Sequence, residues 1–147
     1  MRFYTVDIKG KQEILVGFQQ EAALYRLSLL ARLVPELATD DMNELICRYT
    51  PAVKEKLERL AENEDVLQGA AVNLAEVRLL APIVHPLQDV VCLGINYDAH
   101  AQEAGRFSSE AFGGERPYTI YFSKRVNRAT ASGESVPRYE GLVDSLD

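Results

Sequence analysis

His100 and Glu103 stand three residues apart in the stretch Asn96-Tyr97-Asp98-Ala99-His100-Ala101-Gln102-Glu103-Ala104-Gly105. On a helical turn that spacing puts both side chains on one face, within hydrogen-bonding reach. A carboxylate beside an imidazole fixes its tautomer and raises its basicity, which a general base needs near neutral pH. Spacing alone does not separate such a pair from an incidental surface contact. The other histidine, His85 in Val84-His85-Pro86, lies outside the motif and reads as structural. Downstream, the span 116–130 holds Arg116, Lys124, Arg125 and Arg128 and no acidic residue, inside a chain of net charge −6. A positive stretch of this kind raises the local concentration of an anionic substrate. Solvated surface charge explains Arg125 and Arg128 nearly as well.

The elements that must position these residues are legible in outline. Asp89-Val90-Val91-Cys92-Leu93-Gly94-Ile95 is an apolar run of strand length and is expected to be a buried strand leading into the His100 segment. Asn96 or Asp98 can cap a short helix there, and Gly105 can end it in the left-handed conformation. Residues 105–117, with three glycines among polar side chains, form a loop. Tyr118 to Phe122 is strand-like and delivers Ser123-Lys124-Arg125.

Upstream, Phe3, Thr5 and Ile8, then Gly10-Lys11, then Ile14-Leu15-Val16 predict a β-hairpin with a short polar turn. From Glu21 the period becomes helical through Leu24, Leu27, Leu30 or Ala31, and Val34, ending at Pro35. A short helix over Asp41 to Arg48 follows, with Asp40 or Asp41 as N-cap. Pro51 suits the first turn of a further helix, whose apolar stripe is Val53, Leu57 and Leu60. Glu55 and Arg59 make a favourable pair on its surface, and the charged run from Lys54 to Asp65 is its solvated face. Val77 to Ile83 is strand-like, with Pro82 and Pro86 pointing to an edge. A boundary near residues 70–80 divides a small α+β module, residues 1–75, from a β-rich unit, residues 76–147.

Composition narrows the classes without choosing one. A 147-residue chain with 47% hydrophobic and 26% charged residues has ordinary globular character. The acidic balance argues against nucleic acid as a partner. Neither a secretion signal nor an apolar run of the roughly 20 residues that span a bilayer is visible, so the expectation is a cytoplasmic protein with no membrane partner. Cys47 and Cys92, each in an apolar context, are expected to be small buried residues in a reducing compartment.

The order of features is more specific than any one of them. Leu79-Leu80-Ala81-Pro82-Ile83, then Cys92-Leu93-Gly94-Ile95-Asn96-Tyr97, then His100-Ala101-Gln102-Glu103, then Tyr121-Phe122-Ser123-Lys124 resembles the opening of the fumarylacetoacetate hydrolase superfamily catalytic domain, in the branch of the 2-hydroxyhepta-2,4-diene-1,7-dioate and 5-carboxymethyl-2-hydroxymuconate isomerases. The resemblance covers about residues 76–147, and residues 1–75 look like the extra N-terminal module that many members carry. It implies an α+β chain, a small module followed by the incomplete opening of a mainly-β roll. It implies His100 as base and Glu103 as its orienting partner, with Lys124, Arg106 and Tyr97 contacting substrate. The substrate implied is a small anionic carboxylate, a 2-oxo acid or 1,3-dicarbonyl compound, undergoing C–C hydrolysis, isomerisation or decarboxylation. The loop 105–117 would be the lid that closes over it; a plain surface loop is the other reading.

The resemblance also implies a divalent cation, Mg2+ or Mn2+, and a homodimer in the full-length family form. The family's metal ligands, two glutamates one residue apart and a later aspartate, are expected beyond Asp147, so no metal ligand is assigned within the chain. Asp144 and Asp147 read as exposed carboxylates. Two expectations follow. In one, the chain is part of a metal-dependent enzyme and inactive alone. In the other, it is a standalone non-catalytic binding or assembly module derived from the same fold.

Overall fold

The computed structural model describes residues 1–18, 23–94 and 118–142. It is an α+β structure with antiparallel sheets, as expected from sequence. Its described residues divide into two compact units, one from Met1–His85 and Arg128–Asp147, the other from Pro86–Asn127.

The first unit is built on the N-terminal hairpin, β1 (Arg2–Ile8) and β2 (Lys11–Gly17), paired in register from Arg2 opposite Gly17 to Ile8 opposite Lys11. Its two-residue turn has φ of 55° at Lys9 and 83° at Gly10. Two left-handed residues match the right-handed twist of the strands, and glycine carries the second at no steric cost. The Gly10 N–H donates to the Asp7 carboxylate at 2.9 Å, closing the turn.

The sheet runs β3-β2-β1-β4, with β3 (Tyr25–Arg26) and β4 (Val77–Leu79) as short edge strands. β4, near the expected boundary, thus belongs to the sheet of the first unit, with Val6 opposite Leu79. Alternation along β2 sends Ile14 and Val16 to one face and Leu15 to the other. Ile14 and Val16 pack with Leu27, Leu30, Leu37, Leu45, Val53 and Leu57 in the main core. Leu15 joins Val6 and Ile8 in a smaller cluster, with Tyr4, Leu24, Val72 and Val77 against it. Both faces of the sheet are therefore covered.

The helices follow their capping chemistry. α1 (Leu27–Leu30) is a single turn. The helix expected from Glu21 is shorter because Tyr25 and Arg26 pair with Val16 and Leu15 as sheet edge. The apolar spacing was real, and Leu27, Leu30, Ala31 and Val34 are all buried. α2 (Met42–Arg48) is capped by Asp41, whose carboxylate accepts from the Asn43 N–H at 2.9 Å. α3 (Pro51–Leu60) begins with proline in its first turn, and the Thr50 hydroxyl accepts from the Val53 N–H. Glu55 and Arg59 make the expected pair at 2.6 Å. The charged run does not stay on one helix, because Asn63 caps a separate helix, α4 (Glu64–Ala70), by accepting from the Val66 N–H.

Cys47 is exposed, contrary to expectation. The buried positions of α2 are Met42 and Leu45, and a residue two further on turns away from that face. Among the described residues no helix is long and apolar enough to cross a membrane.

The second unit is described as a two-stranded antiparallel ribbon, β5 (Val90–Gly94) and β6 (Ile120–Lys124), in register from Val90 opposite Lys124 to Gly94 opposite Ile120. A Cβ at Gly94 would lie 3.2 Å from Ile120 Cγ2, so the absence of a side chain allows that close crossing.

Candidate functional site

The residues singled out for chemistry divide sharply. Tyr97, His100, Glu103 and Arg106 lie outside the described residues, as do the loop 105–117, Asp144 and Asp147. Lys124 is described. It closes β6, directly opposite Val90, with its side chain exposed. Gly94, from which the chain runs on toward His100, is four residues along β5, about 13 Å away at ordinary strand rise.

The strand expected to be buried is not buried in this structure. Val91 is 70% exposed and Leu93, paired with Tyr121, is 47% exposed, while every residue of β6 is exposed. β5 has a single partner strand among the described residues, and exposed side chains lie on both faces of that two-stranded ribbon. By alternation, Lys124, Phe122 and Cys92 share one face, and Lys124 Nζ stands 5.8 Å from the centroid of the Phe122 ring. A cation over a ring face is attracted to its quadrupole, weakly where water competes. Cys92 is half-buried rather than enclosed.

The basic stretch is also less free than its sequence suggests. Arg128 donates to both carboxylate oxygens of Glu134, at 2.8 and 2.7 Å. Arg78 reaches the same carboxylate at 3.2 Å, and the Ala131 N–H donates to it at 2.9 Å. With the Arg128 guanidinium as the main cause, the Glu134 carboxyl is held down at about 2, and the carboxylate in turn raises Arg128. Arg128 is thus committed to a structural carboxylate, leaving Lys124 and Arg125 as the described cations of that stretch outside the Glu134 network. Glu134 carried no sequence signal, since Ala129, Thr130, Ala131, Ser132 and Gly133 separate it from Arg128 without a helical or strand period.

His85 lies at the end of the first unit, where its backbone carbonyl accepts from the Asn43 side-chain amide at 3.1 Å. Clefts of about 330 Å3 and 240 Å3 occur in the first unit, one lined by Lys11, Glu13, Ser28 and Asp40, the other by Tyr25, Glu64 and Gln68. Neither includes a residue singled out for chemistry.

No family model matches the chain. It is similar to an oxaloacetate tautomerase, YisK, of Bacillus subtilis (strain 168), with 32% identity over 100 residues. Those residues are 68% of this chain and 32% of the relative, so the chain spans about a third of the length of the protein it matches. This match supports membership of the fumarylacetoacetate hydrolase superfamily. Superfamily members use divalent metal in general. Among the described residues, no group of three or more His, Cys, Asp or Glu side chains is placed to hold a metal ion.

Proposed function

We propose that this chain contributes the general-base pair of a fumarylacetoacetate-hydrolase-type isomerase or tautomerase acting on a small 2-oxo acid carboxylate. The observation that carries the reading is the similarity to an oxaloacetate tautomerase, found in a chain that independently shows the ordered motifs around His100 and Glu103. In this reading residues 1–75 are the accessory module and residues 76–147 open the catalytic domain. The working form is a cytoplasmic homodimer using Mg2+ or Mn2+.

Keto–enol conversion needs one proton removed from the carbon beside the carbonyl and one delivered to the carbonyl oxygen. His100 takes the first through its neutral ring nitrogen. The C–H electron pair becomes the C–C double bond, the carbonyl oxygen takes up the charge and then a proton from water, and the imidazolium returns its proton to solvent. Glu103 holds the imidazole in the accepting tautomer and stabilises the imidazolium that forms. Lys124, Arg106 and Tyr97 hold the substrate, the two cations favouring its carboxylates over neutral competitors.

The test joins residues 1–147 to the downstream part of the tautomerase they resemble and follows the enol absorbance of oxaloacetate with Mg2+ present. The hybrid should turn over, and His100→Asn or Glu103→Gln should lower kcat about 10²- to 10⁴-fold, the usual contribution of a positioned acid–base group. Full turnover in the His100→Asn hybrid would sink the reading. A hybrid that folds, binds substrate and never turns over would favour the non-catalytic module.

A further inference from the structure

Residues 86–127 leave the first unit after His85 and the chain re-enters it at Arg128. This excursion carries Tyr97, His100, Glu103, Arg106 and Lys124. Both of its roots are tied to the N-terminal sheet. On the outgoing limb, the Leu80 N–H donates to the Thr5 carbonyl at 3.0 Å, and the Thr5 hydroxyl donates to the Pro82 carbonyl at 2.6 Å. Thr5 is 1% exposed, so that second bond satisfies a hydroxyl that would otherwise be buried unpaired. The two limbs then meet directly, the Ala129 N–H donating to the Val84 carbonyl at 2.8 Å.

What holds the returning limb in place is Glu134. Its carboxylate takes a two-pronged contact from Arg128 on that limb and a contact at 3.2 Å from Arg78 on β4. It also accepts the Ala131 N–H, which fixes the turn between Arg128 and itself and seats Ala131 in a buried position. Arg78 in turn reaches Asp7 on β1 at 3.4 Å, continuing the chain of charges into the middle of the sheet. A bidentate guanidinium–carboxylate contact fixes direction as well as distance, unlike a flexible lysine pair. Closing a span of this length costs chain entropy that grows slowly with length, so contacts at the roots set how often it opens.

We infer that Glu134 is the clasp that closes the base of the 86–127 excursion, joining its returning limb to the sheet of the N-terminal module. A clasp of this kind acts on local opening of the two limbs while leaving the hairpin core untouched, because separate contacts hold the two regions.

Limited trypsin digestion of the 147-residue chain reads this out, since Arg128-Ala129 is itself a trypsin bond and Ala129 is held by Val84. When opening and closing are fast relative to cleavage, the cut rate follows the open population. In Glu134→Gln, cleavage after Arg128 should accelerate about fivefold, the size of effect a well-oriented charge contact gives, while cleavage after Arg125 keeps its rate. Amide exchange at Ala129 should quicken by a similar factor with exchange at Leu15 unchanged. Arg78→Ala, which keeps the Arg128 contact, should accelerate the same cut by a smaller factor. Unchanged cleavage after Arg128 in Glu134→Gln would overturn the inference. So would equal acceleration at every site and amide, which would make Glu134 a contributor to global stability alone.

Discussion

Replacing Arg26 with methionine should destabilise the first unit by about 2–3 kcal/mol, and restoring neutrality across from it should recover the loss. Glu13 lies on β2 opposite Val6, facing the small cluster of Val6, Ile8 and Leu15, and is 7% exposed. One of its oxygens accepts from Arg26 at 3.0 Å, across the β2–β3 pairing; the other is buried without a hydrogen-bond partner among the described residues. Removing one member of a fully buried pair costs about 3–5 kcal/mol, because the remaining charge is stranded. The Arg26 side chain is 33% exposed, so water can reach part of the site, and the lower figure follows. Arg26→Met with Glu13→Met strands nothing and extends an apolar cluster that is already fully buried at Val6 and Leu15. That double variant should lie within about 1 kcal/mol of the parent, or above it. Urea unfolding followed by far-ultraviolet circular dichroism gives the three free energies and closes a double-mutant cycle. An Arg26→Met protein within about 0.5 kcal/mol of the parent, below the exposed-pair range, would refute the reasoning. So would a double variant as unstable as the single one.

Three further outcomes follow from the same structure. Leu57 of α3 is fully buried in the main core, and Leu57→Ala should cost about 2–5 kcal/mol in the same unfolding measurement. Thr50→Ala removes the α3 cap, and because its bond to the Val53 N–H is long at 3.3 Å the loss should sit near about 0.5–1 kcal/mol. The Glu134 carboxyl is lowered from 4.5 to about 2 by Arg128, so the clasp is at full strength above the unfolded value and weakens as pH falls from about 4.5 through about 2. Trypsin cannot report at that pH, but pepsin cleavage or amide exchange quenched across the window can. Limbs that open equally at pH 5 and pH 2.5 would contradict the assignment.

Much of the first unit was legible in the chain itself, because local rules and tertiary packing agree there. Asp41, one of the two caps expected, stands where a short acceptor side chain must, and Pro51 starts a helix where its missing N–H is harmless, whereas the turn falls at Lys9-Gly10, one residue before the expected Gly10-Lys11. The motif order that pointed to the fumarylacetoacetate hydrolase superfamily also needed nothing beyond sequence, and the similarity to the tautomerase supports it. Tertiary structure decided the rest. Helical spacing from Leu24 to Val34 could not reveal that Tyr25 and Arg26 would be recruited as a sheet edge, since that depends on β2 offering unpaired backbone groups. An apolar run such as Val90 to Gly94 states that a residue is suited to burial, and only the layers around it determine whether it is buried; here β6 is its one partner among the described residues. The largest difference lies in charge. Sequence left Arg128 open between a cation available to substrate and solvated surface charge, whereas folding joins it through Glu134 to Arg78, 56 residues from Glu134 along the chain, in one network. Charges act through space, and the chain's own order does not say which of them will meet.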